Sequence, residues 1–182
     1  IAIGDAVQGF SVGDNAFYGG DISRTGCNAE RQLVDERIVG LMPDSLSYAE
    51  AAALPLTAIT AWEALFERMH ISPSGNHSGK TLLIIGGAGG VGSIAIQLAN
   101  NLAGLHVVAT ASRPESIAWA AQMGADAVIN HRKPLADELV AIALRQVDYI
   151  LCLNDTDAYW EAMAAVIAPQ GHICSIVETA EP

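Results

Sequence analysis

The sequence predicts an α/β chain built on a doubly wound parallel sheet, and three observations carry that expectation. From Lys80 onward, short apolar runs alternate with longer stretches of helical period, the pattern of a parallel sheet covered on both faces. The first of those runs, Thr81-Leu82-Leu83-Ile84-Ile85, leads into Gly87-Ala88-Gly89-Gly90-Val91-Gly92, and a helical segment follows at once. A length of 182 residues with 51% hydrophobic content suffices for one full core plus a small flanking piece.

Residues 1–45 are the flanking piece. GDAVQGFSVGDNAFYGGD carries two Gly-Asp turns, and AERQLVDERIVG reads as one or two strands, so this part is expected to be a β-rich appendage. Its few apolar residues cannot build a core, and it must pack on the next segment or on chain outside the sequence.

Residues 46–182 form the main domain. Ser47-Tyr48-Ala49-Glu50 has capping-box spacing and starts a helix. Pro55 interrupts it, and LTAITAWEALFERM continues at helical spacing through Met69. Residues 72–79, with Pro73, Gly75 and Asn76, read as a surface loop. Strands are then expected near 81–86, 106–110, 126–130, 148–153 and 172–177, with helices near 90–102, 114–123, 135–144 and 157–168. Ser112 and Glu115, around Pro114, have the spacing of a second capping box.

The sheet therefore has about five strands, and the sixth of a complete dinucleotide fold is missing. The last strand would be left as an edge. Its stretch HICSIV is apolar and lacks proline, which leaves two readings: a homodimer paired edge to edge, or a monomer in which residues 1–40 or the tail Glu178 to Pro182 fold over the edge.

The glycine turn points to a Rossmann-type nucleotide site. Gly87 is expected to permit the tight turn, Gly89 to let the backbone approach a pyrophosphate, and Gly92 to let the helix pack close to the strand. The other reading is a glycine-rich loop with no ligand. At the end of the second strand an NAD-binding chain would carry a carboxylate for the ribose hydroxyl, whereas this one has Ala111-Ser112-Arg113. A hydroxyl and a guanidinium in place of a carboxylate favour NADPH. Alternatively, Ser112 only caps its helix and Arg113 faces solvent. His131, Arg132 and Lys133, at the end of the third strand, could add positive charge nearby, the other reading of His131 being a solvated surface histidine. A methyltransferase also uses a glycine-rich turn, but it wants an acidic residue where Ala111-Ser112-Arg113 stands.

Charge and cysteine usage exclude other classes. With 9 basic residues against a formal charge of −11, the chain lacks the footprint of a nucleic-acid binder, so an anionic cofactor must be held by local geometry. No apolar run reaches the roughly 18 residues of a membrane span, so no membrane partner is expected. Cys27, Cys152 and Cys174 lie far apart, without CxxC pairs or a secretory signal, which points to the reducing cytoplasm. The chain begins with Ile1 rather than Met, as a fragment or a processed product would.

PDSLSYAEAAALPLTAITAWEALFERM, LLIIGGAGGVGSIAIQLA and ATASRPES resemble the quinone-oxidoreductase side of the medium-chain dehydrogenase/reductase family, most of all its zinc-type alcohol dehydrogenase-like members. GDAVQGFSVGDNAFYGGD and CNAERQLVDERIVG resemble the last part of that family's GroES-like catalytic domain. The resemblance implies NADPH as cofactor and hydride transfer to a quinone, enone or other small carbonyl compound. The rival is a non-catalytic module that binds or senses NADPH. The resemblance also places Thr60 by the nicotinamide half of the cofactor. A hydroxyl bonded to the preceding helical turn is the equal alternative. The nicotinamide itself would lie beyond the first and fourth strands near Asn154, and by the end of the fifth near Ile176 and Val177; a plain turn residue is the equal alternative for Asn154. No residue stands out as a catalytic acid or base.

Departures from the family pattern bear on metal. Where the zinc-binding members place a cysteine ligand four residues before the threonine matched by Thr60, this chain has Leu56. The four-cysteine lobe of those members has no counterpart, and the family's amino-terminal strands and carboxyl-terminal segment have none either. Elemental analysis of the purified chain is expected to find far less than one zinc per chain, because no thiolate stands at the ligand position. A tightly held, chelator-sensitive zinc would contradict this.

Overall fold

Strand β3 (Thr81–Ile85) is buried along its whole length, which is why it reads as a continuous apolar run rather than an alternating one. It is the central strand of a five-stranded sheet in the computed structural model, which describes residues 2–75 and 77–180. Asn76, in the expected loop 72–79, lies outside the described residues. The chain forms two compact units, Ile1–Ile59 and Thr60–Pro182.

In the first unit, β1 (Ala16–Tyr18) and β2 (Val39–Leu41) pair antiparallel, with Phe17 opposite Gly40. A Cβ at Gly40 would lie 2.9 Å from the Phe17 ring, so the ring lies over bare backbone. Of the AERQLVDERIVG stretch only its last two residues, Val39 and Gly40, join a strand. Glu36–Ile38 is instead one turn of 3-10 helix, capped by Asp35, whose carboxylate accepts the Arg37 amide. A short acidic side chain that bonds nearby backbone competes with a sheet ladder, and here it wins. Helix α1 (Tyr48–Ala53) starts on the expected capping box: Glu50 N–H donates to Ser47 Oγ at 3.3 Å, and Ser47 N–H donates to the Glu50 carboxylate at 2.9 Å. Helix α2 (Pro55–Trp62) begins on Pro55, whose missing N–H costs nothing at a first helical position.

In the second unit, Glu63–Arg68 winds as a π-helical segment that buries Ala64, Leu65 and Phe66. The strands β4 (His106–Thr110), β5 (Ala127–Ile129), β6 (Val147–Cys152) and β7 (Ile167–Ser175) complete the sheet in the order β5-β4-β3-β6-β7, every pair parallel. Counted along the chain this is 3-2-1-4-5, the order of a doubly wound Rossmann sheet. Helices α3 (Gly90–Asn101) and α4 (Pro114–Gln122) alternate with β3, β4 and β5, and α5 (Leu135–Ala141) and α6 (Thr156–Val166) with β5, β6 and β7. Two cores result. Leu82, Ile84, Val107, Ala109 and Leu151 pack with α3, α4 and Leu65, while Leu83, Ile85, Val108 and Ile150 pack with α5 and α6.

Three local expectations need correction. Helix α4 is capped by Arg113, with extended φ −99° and ψ 145°, and not by Ser112; no side-chain cap bond forms. A residue before proline is pushed out of the helical region, so Arg113 cannot be the first helical residue that a Ser112 cap requires. Helix α5 ends at Ala141 rather than near 144, because Ala143 turns left-handed at φ 62° and lets Leu144 N–H close on Leu139 O at 2.9 Å. Strand β7 starts earlier and ends earlier than 172–177. Its ladder skips between Val147 and Tyr149, where Gln170 has φ 64°. It stops at Ser175 because Val177 N–H turns to Ser175 Oγ at 3.3 Å and Val177 O accepts Thr156 Oγ1–H at 3.2 Å.

The close seat of α3 is testable. A Cβ on Gly92 would lie 2.6 Å from both Gly86 O and Gly87 O, backbone atoms with little room to move, whereas one on Gly89 meets nothing closer than Gly86 O at 3.5 Å. Gly92→Ala is expected to lower unfolding stability by about 1–3 kcal/mol in a denaturant titration, well beyond Gly89→Ala. Equal midpoints for the two variants would contradict this packing.

Candidate functional site

The turn between β3 and α3 is held from two sides. Gly86 leaves the strand at φ +89°, a region that favours glycine, and its N–H donates to Thr110 Oγ1 at the end of β4 at 3.0 Å. The tight-turn role therefore falls to Gly86 rather than Gly87. Gly87 is needed for packing instead, since its Cβ would come within 2.7 Å of the Ala109 Cβ. Gly89 N–H donates to Gly86 O at 3.2 Å, and Gly89 is the N-cap of α3. From there Gly90, Val91 and Gly92 form the first turn of a 12-residue helix with no acidic residue at its start. Their amides have no partner within the helix, and the helix dipole adds partial positive charge, so the end suits an anion.

A cavity of about 410 Å³ opens at this end and is lined by Gly86, Ala88, Gly89, Thr110, Ala111, Ser112, Arg113, Ser116, His131 and Arg132. The size suits a small-molecule site. The lining contains two guanidinium groups and three side-chain hydroxyls but no carboxylate. Arg113 Nη2 donates to Ser116 Oγ at 3.3 Å, which lays the guanidinium along the start of α4. His131 has its pKa lowered by burial and then by Arg132, which favours the neutral ring. Lys133 is committed to Glu138 at 3.2 Å. Of the three residues expected to bring positive charge after β5, only Arg132 supplies it to the cavity at neutral pH.

The loop 130–133 is anchored by that same carboxylate. Asn130 N–H donates to Glu138 Oε2 at 2.9 Å, and Arg132 N–H donates to Asn130 Oδ1 at 2.9 Å. The Asn130 amide first, and then Lys133, hold the Glu138 pKa below its ordinary 4.5.

Of the residues singled out from sequence, Ala88, Gly89, Ser112, Arg113 and His131 line one cavity, while Gly87, Gly90, Val91 and Gly92 build the turn and helix start beside it. Asn154 also lies next to the turn, its Cβ 3.9 Å from where a Cβ on Gly86 would sit. Ile176 follows β7, with its N–H bonded to Cys152 O at 3.2 Å, and does not line the cavity. Thr60 is half-buried in α2 and does not line it either. Gly86, Thr110 and Ser116 escaped the sequence reading. Thr110 carried a signal, a hydroxyl in the otherwise apolar run of β4, and it is buried.

The geometry fits a dinucleotide: open backbone amides at a helix start, a hydroxyl and guanidinium set one strand over, and no opposing carboxylate. A profile of the zinc-binding dehydrogenase family matches residues 90–177. A zinc-type alcohol dehydrogenase-like protein of Staphylococcus epidermidis is 49% identical over 177 residues, covering 96% of this chain and 52% of that protein. A solved Rhizobium etli CFN 42 protein assigned to the zinc-dependent alcohol dehydrogenases superposes with a TM-score of 0.92 at 49% identity, covering 98% of this chain and 52% of its own. The chain belongs to the medium-chain dehydrogenase/reductase family.

Another solved relative is the quinone oxidoreductase of Thermus thermophilus, whose complex with NADPH is known. It is 28% identical, with a TM-score of 0.63, over 77% of this chain and 43% of its own. The chain spans about half the length of the curated relatives it matches. As a medium-chain dehydrogenase/reductase it carries that family's nicotinamide-nucleotide domain. Its Leu56 is 65% exposed on α2, and no group of three metal-ligating side chains occurs among the described residues. No helix among the described residues is long and apolar enough to cross a membrane.

The Glu138 anchor gives a pH signature. Its folded pKa lies below the unfolded one, so its stabilisation is present above about pH 4.5 and is lost as pH falls through the folded value. Glu138→Gln is expected to melt at a lower temperature than the parent at pH 7, with the gap closing as pH falls through the lowered folded value. A gap of the same size at pH 7 and pH 3 would show that the carboxylate is not the anchor.

Proposed function

We propose that the chain is the NADPH-binding part of a reductase that transfers a hydride to a quinone, an enone or another small carbonyl compound. The observation that carries this reading is the cavity lining at the end of β4: Ser112, Arg113, Ser116 and Arg132, with no carboxylate among them. An NAD-type site places an acidic residue there to accept from the ribose hydroxyls, and that residue would repel a 2′-phosphate. A planar guanidinium with hydroxyls beside it suits the phosphate. The helix cap at Arg113 supports the assignment, because Ser112 is not spent on capping.

In this reading the cofactor supplies the hydride, and the chain's own residues bind and orient it. Gly90 and Val91 present backbone amides to the pyrophosphate, and Gly89, whose own N–H is held by Gly86 O, lets the backbone approach it. Arg113, helped by Arg132, holds the 2′-phosphate, with neutral His131 contributing a ring nitrogen rather than a charge. Asn154, Ile176 and Thr60 would stand toward the nicotinamide. Apolar surroundings there would keep water from the reacting carbon, which hydride transfer needs more than it needs a strong base. The relation to the Thermus thermophilus quinone oxidoreductase supports the substrate class.

Fluorescence titration is expected to show NADPH binding about tenfold to a hundredfold more tightly than NADH, since a charge-assisted bond contributes roughly 1.5–3 kcal/mol. Arg113→Ala should remove most of that preference. Equal affinities, or no loss on Arg113→Ala, would sink the assignment of NADPH. Oxidation of NADPH by 1,4-benzoquinone, followed at 340 nm in this chain and in a longer form that includes a substrate domain, separates a reductase from a module that only binds the nucleotide.

A further inference from the structure

Trp119 lies on α4 with 44% of its surface exposed, yet its indole N–H does not face water. It donates to Ser93 Oγ at 2.7 Å. Ser93, buried in the first turns of α3, donates from the same oxygen to Gly89 O at 2.7 Å. The direction of this chain of bonds is forced. An indole nitrogen can only donate, so Ser93 Oγ must accept from it, and the serine's own hydrogen is left to point at the Gly89 carbonyl. Gly89 O also accepts Ser93 N–H at 2.8 Å, so both of its acceptor positions are filled from inside the helix.

That carbonyl belongs to the peptide joining Gly89 to Gly90. In a planar trans peptide the C=O and the following N–H point in opposite directions. Two donors that fix the Gly89 carbonyl along the helix therefore aim the Gly90 amide out of the helix start, toward the cavity that Gly89 lines. A carbonyl free to tilt outward would instead offer its negative end to an incoming anion.

We propose that Trp119 and Ser93 are positioning residues for the anion-binding amides, a relay from α4 that holds the Gly89–Gly90 peptide in the orientation a nucleotide pyrophosphate requires. This rests on the NADPH reading above. It adds that α4 contributes twice: at its start through Arg113 and Ser116, and one and a half turns later through Trp119, which never reaches the ligand.

The test compares two ligands. NADPH engages both the 2′-phosphate groups and the helix-start amides, whereas adenosine 2′-monophosphate has no 5′-phosphate and engages only the former. By isothermal titration, Trp119→Phe and Ser93→Ala are each expected to weaken NADPH about two- to tenfold, the effect of losing one neutral hydrogen bond. The double variant should be no weaker than Ser93→Ala alone, since the two side chains act through one carbonyl. Affinity for adenosine 2′-monophosphate should stay unchanged throughout. Equal weakening of both ligands would show that Trp119 merely seats α4 and would overturn the relay, as would NADPH binding that neither variant affects. A parent chain that binds neither ligand would remove the NADPH reading itself and the relay with it, an outcome distinct from losing the relay alone.

Discussion

The structure depends on one close approach, the seat of α3 against the turn that follows β3. Only a hydrogen fits at Gly92, where two carbonyl oxygens stand 2.6 Å from the place a Cβ would occupy. Because α3 sits that close, Ala95, Ile96 and Ala99 reach the sheet and join the core with Leu82 and Ile84. The same approach aims the helix start at the carboxyl ends of β3 and β4. One steric constraint thus builds half of the hydrophobic core and sets the open helix start together.

A second layer of organisation runs between neighbouring strands. Leu83 pairs with Val108 and Ile84 with Ala109, a register that carries Thr110 up to the level of the turn. Its hydroxyl takes the Gly86 amide, and the residues immediately after it turn into the cavity as Ala111, Ser112 and Arg113. The glycine turn and the Ser112 and Arg113 side of the cavity are thereby fixed to each other through a single buried hydroxyl. Neither element could shift without breaking that hydrogen bond.

Much of this was legible in the residues. Strand β3 announced itself because burial on both faces leaves no polar alternation, and α1 because Ser47 and Glu50 satisfy each other's backbone. The glycine turn and Arg113 were legible because their spacing carries a steric or electrostatic reason. Contacts across chain distance were not: Gly86 to Thr110 and Trp119 to Ser93 exist only once the parallel register and helix placement are set. His131 misled for a related reason, since its charge depends on burial and on Arg132 rather than on residue type. The cap at Arg113 failed through a local rule, the extended backbone forced before Pro114, which outweighed the serine-to-glutamate spacing.

The π-helical segment Glu63–Arg68 has its own meaning for how the fold can vary. Its wider turn advances each residue through a smaller angle than an α-helix does, so Ala64, Leu65 and Phe66, three in a row, all find shelter on one side. The segment behaves like a screw thread cut with one extra notch. Closing that notch by deleting a residue would rotate the buried Ala61 by about a hundred degrees relative to Met69 and Ile71, which are buried in the same core. Insertions and deletions in this chain should therefore be tolerated in the loop before β3 and refused a few residues earlier, where the thread sets the phase of the turn that carries Ala61.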